Sequence, residues 1–226
     1  MFTRMFGLAI VLAATTWGPA DATDPIAVDS PLVVYARQSI PLALSDTSKS
    51  MPFFGAIGVV PPEILGASVV ADNDIRNPAD DMAREVAREF AAAHGYRFQD
   101  GGVSIDDEKI ERIKSGQLAE VFPGATYVVS VSTGGTDLME ASTMGSPDPD
   151  GSFKGRFDLL FGAVVHIEEL PHATVAGRSG CFLMPEKRPG LLTHNELLAD
   201  HAAGLKALLK MKTDQCMSII KAELKI

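Results

Sequence analysis

Two hydrophobic periods alternate along this chain, and their order outlines its elements. The clearest lies in "SFKGRFDLLFGAVVHIEELPHATVAGRSGCF", where Phe153, Phe157, Leu159, Phe161, Val165 and Ile167 share one face at period two. Lys154, Arg156, Asp158, His166 and Glu168 fall on the other face. A turn at "ELPHA" then predicts "TVAGRSGCF" as the antiparallel return strand, closing at Cys181. Upstream, "TYVVSVST" is a nearly continuous run of β-formers and reads as a central strand buried on both faces. "PLVVYARQ", bounded by Pro31 and Pro41, reads as a further strand.

The helical period appears in three places. In "NPADDMAREVAREFAAAHGY", Met82, Val86 and Phe90 recur every four residues, and Ala79, Ala83 and Ala87 widen the stripe. Asn77, Pro78, Asp80, Asp81 and Gly95 supply start and stop signals. "SIDDEKIERIKSGQLAEVFPGA" predicts a shorter helical region broken at Gly116. From Thr193-x-x-Glu196, a capping box, a helix over 194–224 carries Leu198, Ala202, Leu205, Leu209, Cys216 and Ile220 on one stripe, weakened at Lys212 to Asp214.

Together these predict an α+β fold: a mainly antiparallel sheet, helices packed on one face, and a long C-terminal helix, forming a two-layer sandwich. Residues 1–22 read as a signal peptide, 23–51 as a lead-in with one strand, and 52–226 as a single domain. Two stretches stand apart. "GGTDLMEASTMGSPDPDG" reads as a long polar surface loop over 134–151. The segment from Met51 to Val70 holds only one charge, Glu63, and is interrupted by Pro61-Pro62. It is either a loop packed under the sheet or an exposed surface for a partner, carried by Phe53, Phe54, Ile57, Val59, Val60, Ile64 and Leu65.

The amino terminus decides the compartment. Arg4 gives a positive start, Phe6 to Thr16 a short apolar run, and Ala20-Asp21-Ala22 a small-x-small cleavage pattern. That run is too short for a spanning helix, which needs roughly 20 residues. We therefore expect cleavage near Ala22 and a periplasmic or secreted product with no transmembrane span. An even cysteine count in an oxidising compartment predicts a Cys181–Cys216 disulfide. A zinc site would need two more ligands, and His194 and His201 lie seven apart with no Cys-x-x-Cys beside them. Net charge −9 argues against a nucleic-acid partner.

Several of these segments share features with a known group: the "FFGAIG" stretch, "DNDIRNPADDMAREVAREFA", "GATYVVSVST", the hairpin ending at Ser179-Gly180-Cys181, and "THNELLADHAAGLKALL". In them, most of residues 52 to 220 resembles a family of uncharacterised exported proteins of Gram-negative bacteria, with a departure at "GGTDLMEASTMGSPDPDG". The resemblance implies an envelope location and no particular activity. The element order is more loosely similar to the α/β domains of envelope-assembly lipoproteins and of the TolB amino terminus, a likeness of fold alone.

Candidate chemistry is sparse. Gly-x-Ser-x-Gly, P-loop and His-Glu-x-x-His patterns are missing from the sequence. His166 and Glu168 share a strand face and Asp148 and Asp150 sit in "SPDPDG", the weak candidates for a metal; a solvated strand face is the plainer reading of the first pair. No cofactor is expected. The leading expectation is a non-catalytic module that contacts another envelope protein. The alternative is a small-molecule or metal-binding module using the 134–151 loop, and an enzyme of unrecognised type ranks third.

Overall fold

A computed structural model describes residues 29–38, 42, 44–46, 63–64, 73–143 and 149–226. Its strands are β1 (Leu32–Gln38), β2 (Leu44–Asp46), β3 (Glu63–Ile64), β4 (Arg97–Phe98), β5 (Val103–Ile105), β6 (Tyr127–Glu140), β7 (Phe157–Glu169) and β8 (Thr174–Leu183). The helices are α1 (Ala79–His94), α2 (Asp107–Lys114), α3 (Leu118–Val121) and α4 (His194–Leu224). The α+β class holds.

Strand β6 is the axis of the sheet. One edge pairs along its length with β7, antiparallel, and β7 pairs with β8. The other edge is shared: β1 runs parallel to Tyr127–Val129, and β2 runs parallel to Thr136–Leu138. Beyond β1, β4 and β5 pair in turn with its two halves. The long ladders are antiparallel and the short ones around β1 are parallel. The expected lead-in is thus integral to the sheet, with Val33 and Val34 buried on its opposite faces.

Helices α1 and α4 lie on one face. Met82, Val86 and Phe90 of α1 are buried against Val33, Tyr35, Val129 and Val131, and Leu205, Leu209, Cys216 and Ile220 of α4 complete that core. Burying one such large side chain is worth about 1.5–3 kcal/mol, so this stripe fixes the layer. Asn77 Oδ1 accepts from the Ala79 N–H, and Gly95 ends α1 in the left-handed region at φ 67°. On the opposite face, α3 sets Leu118, Val121 and Phe122 against Val34, Ala36 and Val128. This cover is confined to the parallel end.

Two expectations need correction. The first part of the 134–151 loop is strand: β6 continues to Glu140, with a bulge between Gly134 and Asp137, and a 3-10 turn follows at Ala141–Thr143. The glycines mark the bulge rather than a turn, because Phe157 to Gly162 of β7 supplies a ladder for the chain to continue on. The terminal helix is interrupted at Ala199–Ala202, which leave helical geometry, and not at Lys212. Gly204 explains part of this. A Cβ there would lie 2.8 Å from Leu192 and 3.0 Å from the Leu197 backbone, so the two helical pieces close tightly on each other.

Candidate interaction surface

Among the described residues, nothing covers the sheet face opposite α1 and α4 across the middle of β6, β7 and β8, beyond the cover that α3 provides. Cross-strand register arranges it in rows. Gly134, Gly162 and Phe182 form one row; Ser132, Val164 and Gly180 the next; Ser130, His166 and Arg178 the third. Val128, Glu168 and Val175 form the fourth. Val175 joins this face only because β8 shifts register between the partners of Ile167 and Glu168. The bulge changes the inside–outside phase, so strict period two would have turned Val175 inward.

Three large apolar side chains stand out on β8 and the residue after it: Phe182 is 63% exposed, Val175 59% and Met184 52%. The rows beside Phe182 form a shallow trough lined by Ser132, Gly134, Gly162, Val164 and Gly180. Gly162 is required here. A Cβ on it would lie 2.7 Å from the Gly134 carbonyl oxygen and 3.2 Å from the Phe182 ring. The side chains of His166, Glu168 and Arg178 make no hydrogen bond or ion pair among the described residues. Beyond the bulge, Asp137 lies opposite Leu160, and burial raises its carboxyl above the ordinary range.

The inward face of β8 is fastened to α4. Cys181 and Cys216 meet at disulfide distance with Cα atoms 5.5 Å apart, within the range a disulfide requires. Ser179 donates to Glu223 at 2.6 Å. One helical turn before Cys216, the Lys212 ammonium donates to Asp158 Oδ2 at 3.0 Å and to the Met184 carbonyl at 3.2 Å. Asp158 also accepts from the Glu186 N–H at 2.8 Å and from Arg188 at 3.1 Å. Burial pushes its carboxyl up, but the Glu186 N–H, the Lys212 ammonium and the Leu159 N–H outweigh that and hold it below the usual range.

The other expected site residues are not brought together. His166 and Glu168 share the open face near the close of β7, as the alternation predicts. Asp150 lies in a turn before that strand begins and accepts from the Ser152 N–H. Asp148 lies outside the described residues, as do Phe53, Phe54, Ile57, Val59, Val60 and Leu65; Ile64 is in β3. Among the described residues no group of three or more His, Cys, Asp or Glu side chains could hold a metal. Residues 134–140 of the expected binding loop are part of β6.

Sequence reasoning missed two features. Asp158 was placed on the polar face of its strand and is fully buried, and Lys212 was read as a blemish on the helical stripe when it is the partner of that carboxylate. The exposure of Phe182 was legible in principle: once Cys181 faces the helix, the next residue on a strand must face away.

The fold and this surface define an α+β protein with one helix-covered and one partly open sheet face. No family model and no curated protein matches the chain. A solved structure from Helicobacter pylori, described as a neuraminyllactose-binding hemagglutinin homolog, aligns over 81% of this chain and 76% of its own at 9% identity, with a TM-score of 0.32. A likeness at that level carries no argument here. No helix among the described residues is long and apolar enough to cross a membrane.

Proposed function

We propose that the protein is exported, loses its leader near Ala22, and serves in the cell envelope as a non-catalytic interaction or assembly module. Its contact surface is the open face of β6, β7 and β8. One observation carries the reading: Phe182, Val175 and Met184 expose more than half of their surface on a single strand and its extension. Apolar groups gathered on one exposed face usually mark a contact. The leader pattern and a cysteine pair at disulfide distance support the oxidising compartment.

The test places a photo-activated cross-linker at position 182 in cells, with a control at exposed Lys225, and fractionates the envelope. Cross-linked species specific to position 182 in the periplasmic or secreted fraction are expected. A cytosolic product, or equal products from both positions, removes the proposal.

A further inference from the structure

We propose that the β7–β8 part of the open face is a two-fold self-association surface, its occupant a second copy of this chain. The inference rests on the interaction reading above and names the partner. The argument is the order of residues in the rows. On β7 and β8 the facing pairs are Gly162 with Phe182, Val164 with Gly180, His166 with Arg178, and Glu168 with Val175. In the first two rows each bulky side chain stands beside a glycine, and the bulky position changes strand from one row to the next.

A two-fold axis lying between two such faces, parallel to the strands and midway between β7 and β8, exchanges the two strands. It sets each Phe182 against the other copy's Gly162, and each Val164 against the other copy's Gly180. Large then meets small in both rows, which is the condition for sheets to close. The same axis carries each Arg178 over the other copy's His166 with Glu168 in the next row. These opposite charges have no ion pair within the described chain, so the dimer supplies the missing partner. The face thus carries its own complement in shape and in charge.

Size sets the strength. With the axis midway between β7 and β8 only these two strands overlap, and four rows at about 4.8 Å between strands and about 3.3 Å per residue make a contact of roughly 250 Å² per copy, about a third of a standard interface. The dimer is therefore weak and concentration-dependent.

Sedimentation velocity of the purified disulfide-intact protein, over roughly a hundredfold concentration range, is the direct test. Wild type is expected to shift from monomer to dimer. Phe182→Ser, Arg178→Glu and Glu168→Arg, each checked for native folding by circular dichroism, are each expected to raise the dissociation constant about tenfold or more. Mixing Arg178→Glu with Glu168→Arg restores the dimer, because both contacts across the axis then join opposite charges. A wild type that stays monomeric throughout, a dimer indifferent to all three substitutions, or a mixture no better than its components each overturns self-association. The cross-linker at position 182 separates this from the broader reading. An adduct of twice the chain mass supports the second copy. A heavier adduct with another protein overturns self-association and leaves the interaction module standing, and no specific adduct sinks both.

Discussion

The Lys212 ammonium and the Asp158 carboxylate lie 3.0 Å apart with side chains 3% and 0% exposed, so helix α4 and strand β7 are joined by an ion pair removed from water. A buried pair contributes little net stability when intact, but removing one partner strands the other. Lys212→Met should therefore cost about 3–5 kcal/mol, read as a lower urea midpoint. A loss within about 0.5 kcal/mol, as at an ordinary surface site, would mean that Asp158 is satisfied by Arg188 and Glu186 alone.

Acid should reach the same carboxylate. Its folded pKa is depressed below the reference value of 3.8. The unfolded chain therefore takes up its proton first, and stability present above pH 3.8 is lost as pH falls through the folded value. Asp158→Asn, though less stable at neutral pH, should show a shallower fall in urea midpoint below that pH. Parallel acid limbs for wild type and variant would assign the acid sensitivity to other carboxylates.

The cysteine pair encloses a sequence separation of 35 residues. A crosslink of that length restricts the unfolded chain by about 3–4 kcal/mol in the loop-entropy model. Cys181→Ser with Cys216→Ser should lower stability by that order, and reductant should destabilise wild type while leaving the double variant unchanged. Thiol labelling of native protein that modifies both cysteines would remove the crosslink from the account.

How far the sequence predicted these relationships depends on the range of the interaction. The α1 stripe, the β7–β8 hairpin, the capping box at Thr193 and the inward position of Cys216 follow from periods and caps, which are local. The parallel docking of β1 on β6 was not legible, because no local signal says which strand lies beside which. The continuation of β6 through Gly134 and Gly135 was hidden because the residues that hold it, Phe157 to Gly162, come later in the chain. Lys212 was misread for the same reason: a cation on an apolar stripe has meaning only when its distant anion is known. The place of Val175 on the open face depended on the β8 bulge, which changes phase without leaving a sequence mark.

An aromatic cluster at the end of α1 gives an alkaline prediction. Tyr127 stacks on Tyr96 with ring centroids 5.3 Å apart, and Phe90 meets Tyr127 edge-on at 5.5 Å. Burial, and then the hydrogen bond with Tyr96, push the Tyr127 phenol from 10.0 up to about 12. A raised folded pKa means that the unfolded chain ionises first. Stability is full below pH 10 and declines as pH rises through about 12. Tyr127→Phe should remove part of that decline in alkaline melting curves; an unchanged curve would place the titrating group elsewhere.

Gly162 offers the sharpest test of the open face, because its substitution acts on the sheet before any partner is considered. A methyl group there would stand 2.7 Å from the Gly134 carbonyl oxygen, a backbone atom that cannot swing aside, and would press on the Phe182 ring. β6 and β7 would have to separate or Phe182 to move, an overpacking that costs about 1–3 kcal/mol. Gly162→Ala should lower the urea midpoint accordingly, and Gly162→Ala with Phe182→Ala should recover only the smaller part, since the carbonyl clash persists. Full recovery in the double variant would show that the ring, and not the neighbouring strand, sets the limit. A neutral single variant would mean that the two strands do not approach as closely as the rows require.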